Sequence, residues 1–172
     1  MKYKVKDFLK SKEMVLLLKH DNKHNVLYEW TKIRHPFRTF WNSFIIRLVK
    51  YFPLHLKVFL LRHFVGMKIG KNVGISPETE IDPFYPELIS FDDNVVIGWK
   101  VNILCHEFTP TKIRLGRVHF GKNCLIGAFS CIRSGVKIGE NSIVAMDSFV
   151  NKDIPSNELW GGIPARFIKK LK

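Results

Sequence analysis

The sequence contains no long hydrophobic run and very few cysteines. Its longest apolar run covers only residues 14–18, whereas a membrane-spanning helix needs roughly 18 apolar residues and a secretory signal roughly 7–15. The three cysteines are an odd number and form no Cys-x-x-Cys pair, which argues against a disulfide framework or a zinc site. These absences predict a cytoplasmic protein with free thiols, no bound metal and no transmembrane helix.

Acidic residues are scarce in the first third of the chain. Residues 1–66 contain 14 Lys or Arg and 4 Asp or Glu, whereas residues 67–172 contain 14 and 11. The formal net charge of +13 therefore belongs mainly to the N-terminal third. Together with a change in hydrophobic pattern, this predicts a basic, helical segment over 1–66 and a second domain over 67–172.

Residues 37–52 carry apolar side chains at helical spacing, and Pro53 ends the pattern. A second short helix is expected to follow and to end at Gly66. Two interpretations of these amphipathic helices remain open. They cap an exposed end of the second domain, or they lie on a membrane surface with aromatic residues on one face and basic residues on the other. No nucleic-acid-binding motif accompanies the charge, so nucleic acid is not an expected partner.

The second domain has an aliphatic or aromatic residue at every sixth position, often followed directly by Gly. The recurring residues are Ile69, Ile75, Ile81, Phe91, Ile97, Ile103, Phe120, Ile126, Ile132, Ile138, Val144 and Val150. A period of six fits neither a helix of about 3.6 residues per turn nor an alternating strand. It fits a chain that runs straight for a few residues, turns by about 120° and repeats.

Three such steps make a triangular turn of 18 residues, which stacks on the next turn at the strand spacing of about 4.8 Å. The period therefore places Phe120 under Ile138, and Ile132 under Val150. Two interruptions are predicted: four extra residues near 83–88, and an inserted loop over 109–119. About four turns remain, so the expected fold class is all-β, built as a parallel β-helix.

Three stretches of the second domain carry a resemblance to a known family. They are Phe120-Gly-Lys-Asn-Cys-Leu-Ile-Gly127, Gly135-Val-Lys-Ile-Gly-Glu-Asn-Ser142 and Gly161-Gly-Ile-Pro-Ala-Arg-Phe-Ile168. The pattern resembles the hexapeptide-repeat acyltransferases, and more narrowly the galactoside, maltose and xenobiotic O-acetyltransferases. The resemblance implies a left-handed helix and a homotrimer that binds acetyl-CoA and a sugar or glycan between its subunits. In the tail over 155–172, Pro164 is expected to open a short C-terminal helix.

The same resemblance implies which residues carry the chemistry. His106 is the expected general base, which takes a proton from the acceptor as it attacks the acetyl thioester; histidine suits this role because its unperturbed pKa is about 6.5. Glu107 is expected to orient the imidazole, as a carboxylate does in a triad. The backbone N–H near Ala128 is the expected donor to the oxyanion. The family often has Trp where this chain has Leu125.

Coenzyme A carries phosphate groups, and cationic side chains near the end of the coil are expected to bind them. The candidates are Lys152, Arg166, Lys169 and Lys170. Met146 and Asn151 match family positions beside the pantetheine arm, and Ala128 is also expected to contact the cofactor.

The main hypothesis is therefore an acetyl-CoA-dependent O-acetyltransferase that transfers directly in a ternary complex. Two alternatives stay open. A γ-type carbonic anhydrase would use the same helix but needs three His ligands, and only His106 and His119 lie in the repeats. A membrane-associated scaffold without catalytic activity would keep the coil alone.

Overall fold

The N-terminal third is mainly helical, and short strands follow it. The computed structural model describes residues 2–19 and 25–172. Its first elements are α1 (Lys2–Lys10), β1 (Val15–Lys19), a 3-10 helix (Val26–Lys32), α2 (Pro36–Leu48) and α3 (Leu54–Leu60), which continues into a π-helical turn (Leu61–Val65). Within the described ranges, no helix is long and apolar enough to cross a bilayer.

Very short strands then form three parallel sheets. The first sheet contains β2 (Lys68–Ile69), β5 (Ile89–Phe91), β10 (Val118–Phe120) and β13 (Lys137–Ile138). The second contains β3 (Gly74–Ile75), β6 (Val96–Ile97), β11 (Leu125–Ile126) and β14 (Ile143–Val144). The third contains β4 (Glu80–Ile81), β7 (Asn102–Ile103), β12 (Cys131–Ile132) and β15 (Phe149–Val150). Because successive strands visit the three sheets in rotation, the chain winds as a three-sided parallel β-helix with four complete turns.

The residues of the six-residue period fill the interior of this helix. Phe120 pairs with Ile138 and Ile132 with Val150, as the period predicts. The rings of Phe91 and Phe120 stack with their centroids 4.7 Å apart. Each of the twelve recurring residues is at most 7% exposed. Burial of these apolar side chains, at about 25 cal/mol per Å² removed from water, is the main force that holds the turns together.

One corner of the helix is a column of asparagines. Asn94, Asn123, Asn141 and Asn157 all have a positive φ, between 56° and 61°, a conformation that Asn tolerates better than most residues. Their side-chain amides donate from each turn to the next over 3.1, 2.9 and 3.0 Å. These hydrogen bonds keep successive turns in register.

The excursion after the second turn is a β-hairpin rather than the loop expected over 109–119. Its strands are β8 (His106–Thr109) and β9 (Lys112–Gly116), and β1 adds to the outer edge of β9 in antiparallel register. The inserted segment therefore begins at His106, earlier than predicted. By Val118 the chain is again part of the β-helix, where it pairs with Ile89. The predicted four-residue interruption contains a short 3-10 helix, Pro86–Leu88.

The helices after residue 35 pack on the first turn. Lys57 is buried and donates from Nζ to the carbonyl of Ile75 over 3.1 Å, and Arg62 donates to the carbonyl of Ile69 over 2.7 Å. Asn42 donates to the carbonyl of Pro83 over 2.9 Å. These polar contacts orient α2 and α3 against the helix end.

The side of α2 that packs inward differs from the apolar stripe that the helical spacing over residues 37–52 predicts. Asn42, Ile45, Ile46 and Val49 are buried. Of the stripe, Ile45 alone is fully buried, and most of its aromatic residues face outward. The two apolar faces of α2 overlap in sequence, so helical spacing alone did not distinguish them.

The prediction of a C-terminal helix is wrong. The tail forms a hairpin instead, with β16 (Glu158–Gly161) parallel to β14, and β17 (Arg166–Lys170) antiparallel to β16. The edge of β14 has free backbone groups that a strand can satisfy and a helix cannot. The N–H of Ala145 accordingly donates to the carbonyl of Trp160 over 2.8 Å.

Candidate active site

His106 lies where the polypeptide leaves the β-helix. It is the first residue of β8, two positions after the end of the second turn at Leu104. Its side chain is 20% exposed, so one edge of the imidazole remains accessible. A histidine at this junction is held by the rigid coil on one side and by the hairpin on the other.

Asp82 is the partner of His106 Nδ1. Its side chain is fully buried, and Oδ2 accepts a short hydrogen bond from the imidazole. The same oxygen accepts the N–H groups of Cys105 (2.8 Å) and His106 (3.0 Å), while Oδ1 accepts that of Phe84 (2.8 Å). These four donors fix the position of the buried carboxylate beside the imidazole.

Burial alone raises the pKa of Asp82, but the hydrogen bond and charge of His106 and the backbone donors outweigh it, so the pKa lies below its usual range. Asp82 is therefore ionised at neutral pH and can only accept hydrogen bonds. Nδ1 of His106 must then carry the proton, which leaves the lone pair on Nε2. This is the tautomer that a general base requires.

Aromatic side chains enclose the imidazole. The ring of Phe84 lies 4.4 Å from that of His106 at an angle of 34°, and Phe108 meets it edge-on at 5.2 Å. Trp30, from the N-terminal 3-10 helix, packs edge-on against Phe84 at 5.6 Å. The N-terminal third thus contributes to the wall around the candidate base.

Glu107 does not orient His106, contrary to expectation. Its carboxylate accepts Arg133 Nε at 3.0 Å and Nη2 at 2.9 Å, and it also accepts the hydroxyl of Ser134. Arg114 Nε lies 3.4 Å away. Successive side chains of a strand point to opposite sides, so Glu107 faces away from the imidazole and anchors the hairpin to the third turn.

Asp82 was missed because it is 24 residues from His106 in sequence. A signal for it was present: Asp82 directly follows Ile81, and Ile81 pairs with Ile103 one turn further on. Stacking the two interrupted turns therefore places Asp82 beside the segment that contains His106.

Glu107 should contribute to stability in a pH-dependent way. Partial burial raises its pKa, but hydrogen bonds from Arg133 and Ser134 lower it more, so the pKa lies below its usual range. A depressed pKa stabilises the fold above the unfolded value of about 4.3, and this contribution is lost as the pH falls through the folded value. We expect Glu107→Gln to lower the melting temperature at pH 7, and to differ less from the wild type at about pH 3.

The control for that measurement is Glu140→Gln, which makes the same change in charge at an exposed position. It should leave the melting temperature nearly unchanged at both pH values. A Glu107→Gln variant as stable as the wild type at pH 7 would contradict the anchoring role.

Ala128 and Met146 occupy equivalent corners of successive turns. Each follows the end of a second-sheet strand by two residues, and the N–H of Asp147 donates to the carbonyl of Ala128 over 2.9 Å. The backbone is tightly packed here, since a Cβ on Gly127 would lie 2.4 Å from the nitrogen of Met146. The corner carries exposed apolar side chains, including Met146 (65% exposed) and Leu125 (40%).

The predicted phosphate-binding cations are grouped around the C-terminal hairpin. Arg166, Lys169 and Lys170 lie on β17, all of whose residues are exposed. Lys152 lies over the ring of Trp160, with Nζ 5.5 Å from its centroid. Asn151 is half-buried after β15.

His119 occupies a different surface from His106. It lies on β10, where Nδ1 is 3.1 Å from the hydroxyl of Ser90 and Nε2 is 3.4 Å from Asp92. Over residues 2–19 and 25–172, no three His, Cys, Asp or Glu side chains are grouped to hold a metal ion.

Comparison with known proteins supplies the family. A family model described as bacterial transferase hexapeptide (six repeats) matches residues 117–152. The Bacillus subtilis (strain 168) protein named "Putative acetyltransferase YvoF" is 37% identical over 128 residues, which are 74% of each chain. The galactoside O-acetyltransferase of Escherichia coli (strain K12) is 30% identical over 113 residues, which are 62% of this chain and 55% of that one.

Among solved structures, a galactoside acetyltransferase in complex with coenzyme A matches with a TM-score of 0.62 and 19% identity, over 80% of this chain and 82% of that chain. The fold and the sequence thus define an acyltransferase built on hexapeptide repeats. The chain belongs to the hexapeptide-repeat acetyltransferase family.

Proposed function

We propose that this protein is an acetyl-CoA-dependent O-acetyltransferase that acts on a hydroxyl group of a sugar or glycan. The observation that carries the proposal is the pairing of His106 with the buried, ionised Asp82 at the edge of the hairpin. Nε2 of His106 is the group left to accept a proton. Family membership supplies the reaction class, and the E. coli relative supports the choice of a sugar acceptor.

The reaction proceeds in one ternary complex. Nε2 of His106 removes the proton of the acceptor hydroxyl while the oxygen attacks the thioester carbonyl. Negative charge then develops on the carbonyl oxygen, and the backbone N–H near Ala128 stabilises it. The C–S bond breaks, the acetyl ester remains on the acceptor, and the imidazolium returns its proton to the departing thiolate of coenzyme A.

Direct transfer is favoured because the nearest thiol is a poor nucleophile. Burial raises the pKa of Cys105 well above its usual range, and Sγ donates to the carbonyl of Tyr85 at 3.1 Å. Burial likewise raises the pKa of Cys124 to about 12. Since only the thiolate attacks efficiently, neither cysteine suits a covalent intermediate.

The donor is proposed to run along the corner that carries Ala128 and Met146 towards the cationic hairpin. Asn151 would contact the pantetheine arm there. The positive side chains of Lys152, Arg166, Lys169 and Lys170 would bind the phosphates, with Arg offering a bidentate contact and Lys a point charge.

We also propose that the β-helix is left-handed and that three copies form a homotrimer in the cytoplasm. Trp99 and Phe129 form an exposed aromatic pair beside Ala128, 49% and 46% exposed, with their rings 5.9 Å apart. Large apolar side chains at an exposed corner are typical of an interface. The β-helix of a second copy, packed at an angle against this corner, would form a groove between the two copies.

Coenzyme A release with a panel of sugars, nucleotide sugars and lipid-linked glycans tests the function. We expect acetyl-CoA at about 100 times its Kd to stabilise the protein by about 2.7 kcal/mol, and thiol release to require an acceptor. A double variant, Arg166→Ala with Lys170→Ala, should weaken this stabilisation. The matched control is Lys112→Ala, an exposed lysine on β9.

Absence of stabilisation by saturating acetyl-CoA would contradict the transferase and favour a scaffold without catalytic activity. Equal loss of stabilisation in Lys112→Ala would contradict a specific phosphate site at the hairpin.

A further inference from the structure

Six apolar side chains form an exposed surface on the N-terminal helices, which we call the aromatic face. They are Phe37, Phe40, Trp41, Phe44, Leu48 and Phe64. Phe37 and Phe40 are 67% and 70% exposed, and Phe44 is 51% exposed. The ring of Trp41 lies 6.4 Å from Phe44 and 6.5 Å from Phe64, so the patch is continuous across α2 and the π-helical turn.

Apart from Trp41, which packs partly against the core, the side chains of the aromatic face do not hold α2 in place. The opposite side of the helix, with Ile45, Ile46 and Val49, is buried against the protein. Trp41 Nε1 donates to the carbonyl of Phe64 over 3.1 Å, which fixes the ring at the surface. Contiguous exposed apolar patches on soluble proteins commonly mark interaction sites.

The surroundings of this face are cationic. Residues 36–65 contain five Lys or Arg and no Asp or Glu. Lys57 is buried and Lys50 pairs with Glu80, so the exposed cations of α2 are Arg38 and Arg47. Arg47 lines the same groove as Phe40, Phe44 and Leu48. At the other end of the helix, the exposed Arg38 shares a depression with Lys6 of α1.

The geometry points to the surface of an anionic lipid membrane as the occupant of the aromatic face. Aromatic side chains would enter the headgroup region while the flanking cations approach lipid phosphates. α2 has 13 residues, too few to span a bilayer, so it would lie in the membrane plane. A symmetric contact with a second copy is disfavoured, because it would bring the exposed Arg38 and Arg47 of the two copies together, and residues 36–65 contain no Asp or Glu.

This inference goes beyond the proposed function, which needs neither the aromatic face nor a lipid. It is tested by flotation of the full chain with vesicles of phosphatidylcholine alone and of phosphatidylcholine with about 30% phosphatidylglycerol. We expect binding to the anionic vesicles only, weakened by salt. The double variant Phe40→Ser with Phe44→Ser should bind the anionic vesicles at least about 10-fold more weakly, because two phenylalanine side chains are no longer removed from water on binding.

The matched control is Leu17→Ser with Tyr28→Ser, which removes two exposed apolar side chains outside the face (60% and 86% exposed). It should bind as the wild type does. Arg47→Glu should weaken binding to anionic vesicles. Thiol release with a soluble acceptor should be unchanged in all three variants, so this proposal and the enzymatic one fail separately.

Three results would overturn the proposal. The first is wild-type protein that does not float with anionic vesicles, and the second is an equal loss of binding in the Leu17 and Tyr28 control. The third is a change of molecular mass in light scattering for the Phe40 and Phe44 variant, which would assign the face to a contact between copies.

Discussion

Replacing His106 with alanine is expected to lower the rate of acetyl transfer by roughly 10²–10⁴-fold, the usual contribution of a general base. The loss should appear in kcat, because the substitution removes a proton acceptor and leaves the proposed donor surface intact. Steady-state thiol release gives kcat, and thermal stabilisation by acetyl-CoA reports donor binding independently. Stabilisation by the donor should equal that of the wild type.

His119→Ala is the matched control, since this histidine contacts Ser90 and Asp92 on another strand. It should retain most of the wild-type rate. Near-normal turnover in His106→Ala would exclude this residue as the base, and an equal loss in both variants would show that neither loss reports on a catalytic imidazole.

Replacing Asp82 with asparagine should have the second-largest effect, a fall in kcat on the order of 10²-fold or more. The amide has one acceptor oxygen where the carboxylate has two, so it cannot accept all four hydrogen bonds that converge on Asp82. Oδ2 accepts the backbone N–H groups of Cys105 and His106 as well as Nδ1, so the amide oxygen takes that position and the NH₂ group faces the N–H of Phe84. Nδ1 of His106 then keeps an acceptor, but a neutral one that stabilises the imidazolium formed during transfer less well than a carboxylate does.

Two readouts separate this positioning role from general destabilisation. Nitrogen NMR of the wild-type imidazole should show the Nδ1-protonated tautomer, as the contact with Asp82 requires. The KM for acetyl-CoA should be nearly unchanged while kcat falls. Asp92→Asn, which alters the carboxylate beside His119, is the matched control and should leave kcat close to the wild-type value.

A wild-type kcat in Asp82→Asn, or the Nε2-protonated tautomer in the wild type, would contradict the pairing. If the KM for acetyl-CoA changed as much as kcat, the effect would be general destabilisation and Asp82 would have no positioning role.

The candidate base was accessible from sequence, whereas its partner was not. His106 follows the last repeat of the second turn. The repeat spacing and the resemblance to the hexapeptide-repeat acyltransferases together locate it. Asp82 was not found because the interruptions near 83–88 and after Leu104 hide its position relative to His106. Glu107 was chosen by proximity along the chain, yet strand alternation turns it towards Arg133.

The β-helix follows from local sequence alone, because a six-residue period imposes the same local conformation in every repeat. In the uninterrupted third and fourth turns, each buried residue, such as Ile126, then stacks on its copy 18 positions later. No information from distant parts of the chain is needed for that arrangement.

The three-dimensional fold settles which surfaces meet where the repeat is broken. It placed β1 against the hairpin, directed the aromatic face of α2 outward, and formed a strand where Pro164 suggested a helix. In each case the deciding factor was an unpaired strand edge or an available apolar surface elsewhere in the fold. Such factors depend on residues far apart in sequence, so local pattern does not encode them.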